Sequence, residues 1–160
     1  MQELVNILRY RFVWLNIVLA LFGIIISFYF YKAAAITFIL ISNLFDILGY
    51  HFTLVRRTTQ PPEKIIILAY RIIQFLFDLL LLLVIGFLFD WIVALSGWIM
   101  KIFGLQDVLY YFFLRMKLPE KWTWMKWTPL GFFRGDLSRI EIVSQTLIGA
   151  VIAALLIILR

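Results

Sequence analysis

The sequence predicts an all-α polytopic bundle of about five transmembrane helices, and three observations carry that prediction. Apolar residues make up 64% of the 160-residue chain and charged residues only 15%, far from the balance of a soluble domain. Five apolar runs reach the ~20 residues a helix needs to cross ~30 Å of hydrocarbon. Basic residues crowd the connections on one side of that layout. The mean hydropathy of +1.01 excludes a disordered chain, and the absence of cysteine excludes a disulfide scaffold. No internal repeat is visible, so residues 1–160 read as a single integral membrane domain.

The expected spans are about 12–31, 34–55, 65–89, 91–114 and 140–159. Ala33, Ala34 and Ala35 follow the first like a processing site. The apolar stretch before them is about twice a 7–15-residue signal core, so it is kept as a span. The fourth span is the weakest, because Lys101, Gln106 and Asp107 interrupt it; losing it would move the C-terminus across the membrane. The fifth contains Gly149 and Ala153, a small-x-x-x-small spacing that suits close helix packing within the chain or against a second copy. Glu141 at its entrance is expected to pair with a loop Arg or Lys.

Placing the N-terminus in the cytoplasm puts Arg9, Arg11, Arg56, Arg57, Lys64, Arg115, Lys117, Lys121, Lys126, Arg134 and Arg139 inside, eleven of the fifteen basic residues. Lys32, Arg160 and the turn residue Asp90 stay on the other side. This N-in, C-out arrangement follows the positive-inside rule. It also explains the +6 net charge through anionic lipid headgroups, without nucleic acid. The expected location is the prokaryotic cell (inner) membrane.

The substantial extramembrane piece is the amphipathic cytoplasmic loop 115–139, between spans four and five. Trp122, Trp124 and Trp127 stand there among Lys121 and Lys126. Indole rings favour the headgroup level and lysines favour anionic lipid, so these residues are expected at the membrane interface. Three tryptophans within six residues exceed what anchoring needs, which leaves open a gate over a cytoplasmic opening or a docking surface.

Ionisable groups at membrane depth are costly and face a bundle interior or a wet cavity. Six lie within the spans: Asp46, His51, Arg71, Asp78, Lys101 and Asp107. At ~1.5 Å per residue, Asp46, Arg71, Gln74 and Asp107 share a depth of roughly 10–15 Å from the cytoplasmic ends, with His51 shallower. Asp78 and Lys101 coincide at roughly 21 Å. Helical phase puts Arg71, Gln74 and Asp78 on one stripe, Gly97, Lys101, Gly104, Asp107 and Tyr111 on another, and Asn43, Asp46 and Tyr50 on a third. The expected ligand-binding set is therefore Asn43, Asp46, His51, Arg71, Gln74, Asp107 and Tyr111. Asp78 and Lys101 are expected as a structural ion pair, and Arg71 as the partner of Asp107, Asp46 or both. Asp46 is then the surplus acid.

Other chemistries find little support. One histidine, five residues after Asp46, does not match helical metal-ligand spacing, and Ser42 is too far along the helix to reach His51 as a nucleophile. No metal and no cofactor is expected. Three functions remain open. The first is a cytoplasm-facing polar pocket that binds or moves an amphipathic or cationic small molecule or lipid. The second is an accessory subunit of a larger membrane complex, and the third a lipid-modifying enzyme using a buried carboxylate. Expected partners are membrane lipids, anionic on the cytoplasmic side, with a small amphipathic ligand and a homo-oligomer or membrane-complex partner as further possibilities.

Overall fold

The computed structural model describes Leu8, residues 10–51 and 63–160; the side chains of Tyr50, His51 and residues 63–68 lie outside that description. Helix α1 (Arg11–Tyr29) buries Val13, Asn16, Ala20 and Ser27, which recur on one face, and leaves most of the others exposed. A short 3-10 turn (Tyr31–Ala33) leads into α2 (Ala34–Asp46), which continues as a π-helical segment (Ile47–His51). Then follow α3 (Glu63–Leu88), α4 (Trp91–Ile102) and α5 (Leu105–Phe113). Among the described residues four helices are long and apolar enough to cross a membrane, and α4 with α5 makes a fifth if the two form one broken span. Large apolar side chains such as Phe28, Leu80, Phe87 and Leu147 stand exposed around the bundle, as a multi-pass membrane protein requires where lipid replaces water.

Helix α2 sits at the centre, packed by α1, α3, α4 and α5. Its Ala34, Ala35, Phe38 and Ile39 join Leu81 and Ile85 of α3 and Val93, Ala94 and Met100 of α4 in the main core. Gly97 makes the α2–α4 contact possible. A Cβ there would lie 2.7 Å from the Cβ of Phe38 and 2.9 Å from the Ala35 carbonyl oxygen, so the two backbones approach through the missing side chain.

The expected straight fourth span is broken. Its two halves bend by 68° at Gly104, whose φ of +92° is left-handed and costs a glycine little. A break in a membrane helix frees backbone groups that something must satisfy. The Phe103 carbonyl accepts hydrogen bonds from Gln145 Nε2 and Thr146 Oγ1, both at 3.2 Å. These belong to α7 (Arg139–Ile158), the last helix. Gly149 of α7 packs on Phe103 and Ala153 joins the main core, so the small-residue spacing is used within the chain.

The loop between α5 and α7 is folded rather than spread along a surface. Strand β1 (Lys121–Trp122) pairs antiparallel with β2 (Leu137–Ser138), and α6 (Pro129–Arg134) lies between them. Trp122 was expected at the membrane interface. It is instead fully buried with Met125, Leu137 and Ile142, and its indole donates to the Pro119 carbonyl at 3.0 Å. The hairpin creates a small core of its own, and that core takes the ring that lipid would otherwise receive. Trp127 is 91% exposed, beside exposed Phe132 and Phe133, and keeps an outward disposition. Gln145 Oε1 accepts the Leu130 N–H at 2.8 Å, so one side chain ties the loop to the helix break. Ser138 and Glu141 form a capping box at the start of α7, and Arg134 pairs with Glu141.

At the opposite end of the bundle, Lys32 donates to the Ile157 carbonyl at 3.0 Å and Arg160 pairs with Asp90. Asp90 also caps α4, accepting from the amides of Ile92 and Val93. The ends of α1, α3 and α7 are thereby gathered on the side away from the loop.

Candidate functional site

Polar side chains from α2, α3 and the broken α4–α5 unit meet in one continuous network. Its deeper part is an ion pair between Lys101 of α4 and Asp78 of α3. Ser42 of α2 lies between them in the hydrogen-bond pattern. Its hydroxyl accepts from Lys101 Nζ at 2.8 Å and faces both Asp78 Oδ1 at 2.7 Å and Gln106 Oε1 at 3.2 Å. A hydroxyl has one hydrogen to give, and the shorter, charge-assisted bond to Asp78 takes it. Both charges are thus engaged inside the bundle, where a lone charge would be strongly destabilising.

One turn further along α2, Asp46 is held by neutral donors. Its Oδ1 accepts from Tyr70 Oη and from Gln74 Nε2, the latter at 2.7 Å, while Oδ2 accepts from Gln106 Nε2. Gln106 Nε2 also faces the Ser42 carbonyl at 3.3 Å, which joins this layer to the ion pair. The expected Arg71 pairing takes another form. Arg71 donates to Gln74 Oε1 at 3.1 Å, and among the described residues it makes no ion pair with Asp46 or Asp107. Gln74, one helical turn from Arg71, is placed to bridge the guanidinium to Asp46 without contact between the charges.

Above Asp46 opens a cavity of about 330 Å³. Asp46, Tyr70, Arg71 and Gln74 line it from one side, Asp107, Tyr110 and Tyr111 from α5, and Thr123 and Trp124 from the loop. The Trp124 indole N–H faces the Asp107 carboxyl group. Tyr111 packs edge-on against buried Trp122, with ring centroids 5.2 Å apart, so the loop core supports the cavity wall.

Of the residues expected to bind a ligand, the structure brings Asp46, Arg71, Gln74, Asp107 and Tyr111 to this cavity. Asn43 is not among its lining groups. It is fully buried on α2, and among the described residues neither its amide nor that of Asn16 on α1 has a hydrogen-bond partner. Residues 42 and 43 differ by about 100° around the helix, so when Ser42 turns to the ion pair, Asn43 turns elsewhere. The side chain of His51 lies outside the described residues. Among the described residues no three His, Asp or Glu side chains converge as metal ligands.

Several participants were not expected. Ser42 stands four residues before Asp46 on the same helical face, a spacing that could have marked it. Tyr70 is adjacent to Arg71 and reads as an ordinary apolar position. Gln106 was marked only as a polar interruption of the fourth span, because on a straight helix it would sit about 100° away from Asp107 and off the polar stripe. The break at Gly104 lets Gln106 reach Asp46 while Asp107 lines the cavity. No family model, no characterised protein and no solved structure matches this chain.

Proposed function

We propose that this protein binds an amphipathic or cationic small molecule or lipid in the cavity beneath the loop, opening toward the cytoplasm. One observation carries the reading: a cavity of about 330 Å³ in which Asp46, Arg71 and Asp107 meet a wall of aromatic rings. That volume is at the small end of ligand sites, and a few convergent polar groups in an otherwise apolar enclosure are their usual makeup. The basic connections on the loop side support a cytoplasmic orientation, in the cell membrane of a prokaryote. Thr123 and Trp124 make the loop a roof over the site.

The accessory-subunit reading has less support. It would use the polar stripes to hold another polypeptide, whereas Asp78, Lys101, Asp46 and Gln106 are engaged within the chain.

Native mass spectrometry of the protein extracted gently from its own membrane tests the proposal. A stoichiometric small-molecule or lipid adduct is expected, lost in Asp46→Asn and Asp107→Asn variants that remain folded. A chain without any adduct, or one in stable complex with a different polypeptide, would overturn it.

A further inference from the structure

The cavity described above carries charges of both signs that do not close on one another, and this narrows what it can hold. Asp46 has its oxygens occupied by Tyr70, Gln74 and Gln106. The other charges facing the space are the guanidinium of Arg71 and the carboxylate of Asp107, both lining groups. Opposite charges that line one cavity attract each other. Among the described residues the two nevertheless form no ion pair within 4 Å. Gln74 accepts from Arg71 through Oε1 while its Nε2 is fixed on Asp46. Arg71 is thus tethered on the α3 side while Asp107 stands on α5.

We infer that the cavity recognises a zwitterionic group, with Arg71 binding its anionic end and Asp107 its ammonium end. This rests on the pocket reading above and names the chemistry of its occupant. A guanidinium presents a planar fork of donors matched to phosphate or carboxylate oxygens. Around the carboxylate end stand Tyr110, Tyr111 and Trp124, aromatic faces of the kind that hold ammonium groups. A volume of about 330 Å³ suits a headgroup rather than a whole lipid. Among the described residues helices α3 and α5 each pack on α2 rather than closely on one another, and acyl chains of a bound lipid would leave between them. The same chemistry could come from a lipid headgroup or from a free phosphoethanolamine-like solute.

The test uses the full chain in detergent, titrated with dihexanoyl phosphatidylethanolamine, dihexanoyl phosphatidylglycerol, octylamine and free phosphoethanolamine. Saturable binding of the phosphatidylethanolamine is expected, weakened about tenfold or more by Arg71→Gln and by Asp107→Asn, as for loss of a charge-assisted bond. Arg71→Lys should recover part of the loss, and unchanged melting of each variant shows that the fold persists. Free phosphoethanolamine binding as tightly as the lipid supports the same recognition and assigns it to a soluble source; much weaker binding assigns it to lipid. Phosphatidylglycerol binding as well as phosphatidylethanolamine would overturn the inference. Octylamine binding equally well and unaffected by Arg71→Gln would also overturn it, while leaving a cation pocket standing. If no probe binds and the native protein carries no adduct, the pocket reading itself fails.

Discussion

Lys101→Met is expected to destabilise the protein by about 3–5 kcal/mol, the cost of stranding one member of a buried ion pair. Methionine keeps the length and apolar stem of lysine, so packing against α2 changes little. What is lost is the ammonium that balances Asp78 and donates to Ser42. Combining it with Asp78→Asn should recover much of the loss. The double variant leaves neither member of this pair charged, and the asparagine oxygen can still accept from the Ser42 hydroxyl. Thermal or denaturant unfolding in detergent measures both. A single variant as stable as the parent would mean that the pair is solvated or that Asp78 is held by other groups.

Asp46→Leu is expected to have an effect of similar size by a different route. It removes the acceptor shared by Tyr70, Gln74 and Gln106, and each buried donor left without a partner costs about 1–3 kcal/mol. The loss also reaches the cavity, since Gln74 no longer has a fixed end from which to hold Arg71. Asp46→Asn is the informative intermediate. One amide oxygen can still accept from Tyr70 and Gln74, but the amide nitrogen then meets the Gln106 donor, so a smaller loss of about 1 kcal/mol follows. Unfolding curves for the three proteins should rank parent, asparagine and leucine in that order. Equal stability of the asparagine and leucine variants would show that the Asp46 contacts are not what holds these helices together.

Composition and hydropathy made the membrane character legible, because bulk apolarity and run length are local properties. The matching depths of Asp78 and Lys101 were legible for the same reason, since rise per residue converts sequence position directly into height. Tertiary choices were not. The bend at Gly104 depends on Gln145 and Thr146, some forty residues away, being there to satisfy the Phe103 carbonyl. Without that knowledge a lone glycine in an apolar run reads as a packing site. The same bend decides that Gln106 rather than Asp107 reaches Asp46. Trp122 was misplaced for a related reason. A tryptophan beside lysines reads as interfacial until Leu137, fifteen residues later, pairs with it across a two-residue ladder and closes a core around it. Arg71 was expected to pair with Asp107, Asp46 or both from shared depth, helical phase and opposite charge, and the neutral Gln74 is its hydrogen-bond partner instead.

The absence of cysteine makes the most direct test simple to read. Single cysteines are placed at Thr123, which lines the cavity, and at Asp136, an exposed loop position outside its lining. Each is labelled with a membrane-impermeant maleimide in oriented vesicles, with and without saturating short-chain phosphatidylethanolamine. The account predicts that both react from the cytoplasmic face and that ligand slows labelling at Thr123→Cys while leaving Asp136→Cys unchanged. Labelling from the opposite face, or the same rate at Thr123→Cys with and without ligand, would contradict it.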